Sequence, residues 1–125
     1  MKARGRPTAR SLLVLAAMIA TVSVANSWWV DGSDRRLGEH VAAVAKPGDI
    51  HMLSSETCAI CATARQWFKQ HSVPFSECIV ERDSACLAAF EARAAPGTPV
   101  ILVRGRAQLG FSPERVRDGL TLQDL

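Results

Sequence analysis

A basic segment followed by a long apolar stretch is the feature that most restricts what this chain can fold into. An uncharged stretch runs from Leu12 to Val30, close to the roughly 20 residues of a membrane-spanning helix. Four basic residues and no acidic ones precede it: Lys2, Arg4, Arg6 and Arg10. This part of the chain is expected to lie outside the folded domain. Of 125 residues, only those from 37 onward remain to fold, which allows one small domain and excludes large barrels and two-domain enzymes.

The net charge does not indicate a nucleic-acid partner. The formal net charge of the whole chain is +3. Because the basic segment alone carries four positive charges, the rest of the chain has a net charge of −1. No basic patch therefore remains in the domain to bind nucleic acid.

The first 30 residues are typical of an export signal or a membrane anchor. A basic flank stays in the cytoplasm, so the rest of the chain is expected on the extracytoplasmic, or periplasmic, side. Ser23-Val-Ala25 has the small residues that signal peptidase requires, whereas Trp28-Trp29 would suit a membrane interface. We expect a retained anchor; a soluble periplasmic protein after cleavage is the alternative, and a buried globular helix is a third interpretation. The predicted division is a basic tail plus signal peptide or transmembrane anchor at 1–30, a polar linker at 31–36 and the domain at 37–125.

The domain sequence alternates strand and helix patterns. A short helix is predicted within residues 37–45, and the elements after it follow the order β-α-β-α-β-β-α. The Val100–Val103 run is continuously apolar and mostly β-branched, which suits a central strand covered on both faces. The expected elements are strands at 50–53, 75–80, 100–103 and 107–110, and helices at 58–71, 83–94 and from 113 onward.

Cys58-Ala-Ile-Cys61 lies at the start of the helix predicted after the first strand. The unpaired N–H groups and the dipole of a helix N-terminus stabilise a thiolate, which is the nucleophile of disulfide exchange. Cys61 lies one turn further on the apolar face with Ala64 and Phe68, so it is predicted to be the more buried sulfur. A plain stabilising disulfide or two unused thiols are the alternative interpretations.

Thr98-Pro99 precedes the Val100–Val103 strand. Proline cannot donate to a strand ladder, so its position at the start of a central strand suggests a special role, such as a cis peptide bond. A cis bond would leave the Thr98 backbone free to pair with an extended substrate beside Cys58; an ordinary trans loop proline is the alternative. Ile60 is predicted to be exposed next to the active sulfur, where it would contact an apolar or unfolded protein surface.

A second cysteine pair, Cys78 and Cys86, is predicted to form a structural disulfide, as is common in small exported domains. Two buried thiols, or a relay of electrons to the first pair, are the alternatives. The three histidines, His40, His51 and His71, are scattered among different elements, so no metal site is predicted.

These motifs together resemble the glutaredoxin branch of the thioredoxin fold over about residues 37–120. Val73-Pro-Phe75 is similar to the Ile/Val-Pro-Tyr/Phe entry to the second strand of that family, and Gly110-Phe-Ser-Pro113 stands where the family carries its Gly-rich turn. The resemblance implies a thioredoxin-like, glutaredoxin-type β-α-β-α-β-β-α domain with a four-stranded mixed sheet. It also implies that Cys58 is the nucleophile, Cys61 the resolving thiol and Pro99 cis.

The sequence departs from the usual glutaredoxin pattern in three places. Ala59-Ile60 replaces Pro-Tyr, and Ser54-Ser-Glu56 stands where a basic residue is common before the first cysteine. Gly110-Phe-Ser lacks the second glycine and the acid that help to hold glutathione, and is closer to the Gly-Phe-x-Pro of glutaredoxin-like electron donors of ribonucleotide reductase. No cofactor is therefore predicted; glutathione is the alternative, which these departures disfavour. Glu56 is a negative charge that would oppose thiolate formation.

The function predicted is a thiol–disulfide oxidoreductase that acts on protein cysteines outside the cytoplasm. Its expected partners are protein thiols and disulfides, an unidentified electron donor or acceptor, and the membrane. Thr57-Cys-Ala-Ile-Cys61 also resembles the loop of heavy-metal-associated domains, which would make the chain a Cu(I) carrier. Those domains run β-α-β-β-α-β and usually carry Met where this chain has Glu56. A redox-inactive thioredoxin-fold binding domain is a further alternative.

Overall fold

A computed structural model describes residues 5–122 of the chain. They fall into two compact units, divided between Asp34 and Arg35. The elements are α1 (Ala9–Val44), β1 (Ile50–Ser54), α2 (Ala59–Gln70), β2 (Ser76–Ile79), α3 (Ser84–Glu91), β3 (Val100–Val103), β4 (Arg106–Leu109) and α4 (Pro113–Thr121). After α1, this is the predicted glutaredoxin-type order.

Helix α1 is long and apolar enough to cross a membrane. Its most apolar 18 residues have a mean hydropathy of 1.7, and none of them is buried. Trp28 and Trp29 are 77% and 83% exposed. The observation agrees with a signal sequence or an anchor.

The expected break between anchor and domain is absent from the secondary structure. Residues 31–36, predicted as a turn-prone linker, are helical, and the short helix expected within 37–45 is the end of the same α1. The Ser33 hydroxyl donates to the Val30 carbonyl at 2.9 Å, and Asp31 and Arg35 stand at the helix-favouring i,i+4 spacing. The strong helical sequence on both sides outweighs the roughly 1 kcal/mol that Gly32 costs within a helix.

The four strands form one mixed sheet in the order β2-β1-β3-β4. Strand β1 pairs parallel with β2 and antiparallel with β3, and β3 pairs antiparallel with β4. The strand β3 is therefore central, as its continuous apolar sequence predicts. This topology confirms the mixed glutaredoxin-type sheet.

The sheet is covered on both faces. The larger core joins the end of α1 to α2 and α4, and its fully buried members include Phe68, Val116 and Leu120. The smaller core includes Cys86 of α3. The helix α3 is shorter than predicted, and its Leu87 is 40% exposed while Cys86 is buried. The alternation of β1 explains the two cores, because Met52 belongs to the first and Leu53 to the second.

Candidate active site

Cys58 is the N-cap residue of α2. Its extended backbone places its Sγ at the helix N-terminus, where it accepts the N–H of Cys61 at 3.0 Å. Cys58 is half-buried, whereas Cys61 is fully buried. The predicted difference in burial between the two sulfurs is confirmed. An accessible sulfur at a helix N-terminus is the environment in which a thiolate is stabilised.

The two sulfurs are joined in a disulfide, with the Cα atoms 5.2 Å apart. Ile60, between them, is 54% exposed, as the sequence predicts. Its side chain adds apolar surface next to the half-buried Cys58.

The Thr98-Pro99 peptide bond is cis, and the sheet register places it near the same edge as the cysteine loop. Val100 pairs with Leu53 in the antiparallel β1–β3 ladder. Pro99 and Ser54 therefore extend the two strands in the same direction, toward the loop that leads to Cys58. Pro99 is fully buried and its carbonyl accepts the Gly110 N–H at 2.9 Å. In residues 5–122, none of the backbone hydrogen bonds outside the helices and strands involves Thr98.

A group of contacts that no sequence motif reveals holds the loop before Cys58. The Glu81 carboxylate accepts hydrogen bonds from the Ser55 hydroxyl and, at 3.2 Å, from the Glu56 N–H. Arg82 pairs with the Glu56 carboxylate, so the acid expected to oppose the thiolate has a partner. The hydrogen bond from Ser55 is the main reason why the pKa of Glu81 lies below its usual value. These partners are about 26 residues apart in sequence, and no local motif signals such pairs.

An ion pair ties α2 to the edge strand β2. The Nε of Arg65 donates to both Glu77 carboxylate oxygens, at 2.8 Å and 3.1 Å, and a terminal nitrogen of Arg65 donates at 2.7 Å. The buried Ser54 hydroxyl also donates to this carboxylate, at 2.7 Å. Burial raises the pKa of Glu77, but the hydrogen bonds from Arg65 and Ser54 outweigh burial, and the pKa is lowered. The hydrogen bond to Glu77 raises the pKa of Arg65. The pair ties α2, which contains Cys61 and follows Cys58, to the sheet.

Cys78 and Cys86 form a second disulfide, with Cα atoms 6.0 Å apart. Cys86 is buried and belongs to the core cluster of Leu53 and Val100. Cys78 pairs with Leu53 across the β1–β2 ladder. The second disulfide thus packs against β1, which precedes the Cys58 loop, and against β3, which follows Pro99.

The histidines lie in different surroundings. The Nδ1 of His51 is 2.7 Å from the Ser76 hydroxyl, the ring of His71 packs on Trp67 with centroids 4.6 Å apart, and His40 is exposed. Within residues 5–122 no group of three or more His, Cys, Asp or Glu side chains is placed to hold a metal ion.

Comparison with known proteins supports the resemblance inferred from the motifs. Residues 50–107 match the family model described as Glutaredoxin. A crystal structure of a mutant of the thioredoxin-like protein BC3987 is similar in fold, with a TM-score of 0.52 at 22% identity, covering 58% of this chain and 95% of that one. A crystal structure of wheat glutaredoxin aligns with a TM-score of 0.46 at 16% identity, covering 74% of this chain and 93% of that one. No curated protein sequence matches the chain significantly.

Residues 50–107 are thus similar to the glutaredoxin family, and the domain has a thioredoxin-like fold. Its C-x-x-C pair at the start of α2 indicates thiol–disulfide redox chemistry. The observed order of elements also differs from the β-α-β-β-α-β order of the heavy-metal-associated domains that the Thr57–Cys61 segment resembles.

Proposed function

We propose that this glutaredoxin-type domain is a thiol–disulfide oxidoreductase that acts on protein cysteines outside the cytoplasm, through Cys58 and Cys61. The observation that carries the proposal is the arrangement of the two sulfurs. Cys58 is half-buried and accepts a helix N–H, while Cys61 is fully buried one turn along the same helix. An incoming disulfide reaches the first sulfur, and only the first sulfur can reach the second.

In the reducing direction, the Cys58 thiolate attacks one sulfur of a substrate disulfide. The substrate S–S bond breaks, a mixed disulfide forms, and one substrate thiolate leaves and takes up a proton. Cys61 then loses its proton and attacks the Cys58 sulfur, which releases the second substrate thiolate and forms the Cys58–Cys61 disulfide. Two electrons have moved from the enzyme to the substrate, and the reverse sequence donates the disulfide to substrate thiols. A dithiol or disulfide partner restores the starting state.

The substrate chain is proposed to lie between the Thr98 backbone and Ile60. Thr98 is the last residue before the buried Pro99, and it extends β3 toward the cysteine loop. A short extended segment could pair with its free backbone groups, while exposed Ile60 contacts an apolar side chain of the substrate. This geometry accepts protein segments of varied sequence, because backbone groups provide most of the contact.

The Cys78–Cys86 disulfide is proposed to brace the fold. It closes a short loop and is packed beside Leu53 and Val100. A domain of this size has a small core, and a cross-link that restricts the unfolded chain adds stability there.

The proposed location is the extracytoplasmic side of a membrane, with α1 retained as an anchor. The support is the unburied apolar half of α1, together with the basic residues that precede it. The domain proposed to be exported is the part from residue 37 onward.

The chemistry is tested with full-length protein in mild detergent and a peptide that contains one disulfide. We expect the Cys58→Ser variant to lose exchange. Cys61→Ser should accumulate a mixed disulfide between Cys58 and one half of the peptide, which mass spectrometry detects. The Cys78→Ala/Cys86→Ala variant is the control that keeps the active pair. Unchanged exchange in Cys58→Ser would refute the proposal.

The location is tested with a reporter enzyme that is active only outside the cytoplasm, fused after Leu125 and expressed in a bacterial host. A retained anchor predicts an active reporter in the membrane fraction on a chain of full length. An active reporter on a shortened, soluble chain would favour the cleaved signal instead. An inactive reporter would refute export.

A further inference from the structure

The loop between β1 and Cys58 is held by hydrogen bonds to Val80 and Glu81, which follow β2. The N–H of Val80 donates to the Ser54 carbonyl at 2.9 Å, which continues the β1–β2 pairing by one residue. Glu81 then accepts the Ser55 hydroxyl and the Glu56 N–H. One carboxylate thus binds both a side chain and a backbone group of the two residues that follow β1.

The contacts of Glu81 act on the turn that ends at Cys58. The Cys58 N–H donates to the Ser55 carbonyl at 3.4 Å, so Ser55 belongs both to the turn and to the Glu81 contact. The extended backbone of Cys58 follows from that turn and directs its Sγ to the Cys61 N–H. Releasing Ser55 would therefore loosen the placement of the Cys58 sulfur on the helix N-terminus.

The segment that carries Glu81 is itself fixed at both ends. Cys78 and Cys86 enclose it in a disulfide-closed loop. Asp83 caps α3 by accepting the N–H groups of Ala85 and Cys86 at 2.9 Å and 3.2 Å. Glu81 itself is an exposed side chain in the turn between β2 and α3, so its contacts depend on this enclosed loop rather than on burial.

We propose that Glu81 is a positioning residue for the Cys58–Cys61 site: it fixes the Ser55–Thr57 turn and so keeps the Cys58 sulfur on the N-terminus of α2. The inference rests on the proposed function, because it concerns the reactivity of the same pair. The charged groups in this segment and the turn that it holds are Glu56, Glu81, Arg82 and Asp83. Arg82 pairs with Glu56, and Asp83 caps α3. The negative charge of Glu81 by itself would disfavour the Cys58 thiolate. Its hydrogen bonds to the turn nevertheless favour the thiolate, because they keep the sulfur at the helix N-terminus.

The direction in which the Cys58 thiol pKa moves when Glu81 is removed distinguishes a charge effect from a positioning effect. If Glu81 acted only as a charge, removing it would lower the thiol pKa of Cys58, because a neighbouring negative charge disfavours a thiolate. If it positions the turn, removing it raises that pKa, because the sulfur leaves the helix N-terminus. The two effects have opposite directions, so one titration separates them.

The experiment measures the pH dependence of Cys58 alkylation in the reduced full-length protein, with Glu81→Ala, Ser55→Ala and Glu91→Ala. Glu91→Ala is the matched control, because it removes one exposed carboxylate from the end of α3, away from the turn. We expect Glu81→Ala to raise the Cys58 pKa and to slow alkylation at neutral pH about threefold or more. Ser55→Ala removes the same hydrogen bond without changing the charge, and should shift the pKa in the same direction. Glu91→Ala should behave as the wild type.

A Cys58 pKa that stays unchanged or falls in Glu81→Ala would overturn the positioning role. Circular dichroism checks that each variant is folded, and Ser55→Ala carries the test if Glu81→Ala does not fold. Alkylation needs no protein substrate, so the result is independent of the exchange assay. Wild-type protein without exchange activity would refute the proposed function. If the wild type is active and the Cys58 pKa of Glu81→Ala is the same as in the wild type, only the role of Glu81 is refuted.

Discussion

The Cys78–Cys86 disulfide makes a contribution to stability that can be calculated from its place in the chain. The two cysteines are separated by eight positions. The chain-entropy treatment of a cross-link gives a stabilisation of about 2.5 kcal/mol for a loop of this length, through the restriction of the unfolded chain. For a small domain that loses about 1–2 kcal/mol of stability per molar urea, the unfolding midpoint would move by about 1–2.5 M.

The measurement uses the Cys58→Ser/Cys61→Ala variant, in which Cys78–Cys86 is the only disulfide. Urea unfolding is followed by near-ultraviolet circular dichroism in mild detergent, once with the bridge closed and once after reduction by a dithiol. Both samples have the same side chains, so their difference in free energy of unfolding reports the bridge alone. A difference under about 1 kcal/mol, or a more stable reduced form, would refute the bracing role.

Two further predictions concern contacts around α2. Glu77→Gln should reduce the loss of stability on acidification. The pKa of Glu77 is lower in the folded protein than its value of about 4.3 in the unfolded chain, so the ionised carboxylate stabilises the fold above about pH 4.3, and this stabilisation is lost as the pH falls through the folded-state pKa. We expect a contribution of about 1 kcal/mol or less, because the pair with Arg65 is partly exposed. Equal acid sensitivity of the two proteins in urea unfolding would contradict it. Gly38→Ala should lower stability by about 1–3 kcal/mol, because the added Cβ would lie 2.2 Å from the His71 Nδ1, while Gly32→Ala, whose Cβ meets open space, should not. Equal thermal midpoints for the two alanine variants would contradict this expectation.

The order of elements in the domain could be predicted because each element has a local signal. The last helix is the clearest case: Ser112 is its N-cap and accepts the Arg115 N–H, and Pro113 and Glu114 lie in its first turn, as the sequence predicts. The burial of Cys61 was equally predictable from the spacing of apolar residues in α2. Such signals lie within a few residues of each other, where helical periodicity applies.

The parts of the site that depend on distant contacts could not be predicted. Glu81 and Ser55 come from different elements and meet only because β1 and β2 pair in parallel. The same limit applies to Arg65 and Glu77, whose pairing needs α2 to lie over β2. The predicted linker at 31–36 was wrong for the opposite reason. Its local turn signal was outweighed by the strongly helical sequence on both sides, so α1 is continuous there.

The central claim is that Cys58–Cys61 is the pair that exchanges electrons, while Cys78–Cys86 remains closed. The most direct test is a redox titration of the full-length protein in thiol–disulfide buffers, with site-resolved alkylation and mass spectrometry at each potential. The accessible Cys58 predicts that the first pair titrates reversibly between about −120 and −270 mV, and the buried Cys86 predicts that the second stays oxidised to below about −300 mV. A Cys58–Cys61 pair that resists reduction as strongly as Cys78–Cys86 would contradict the account.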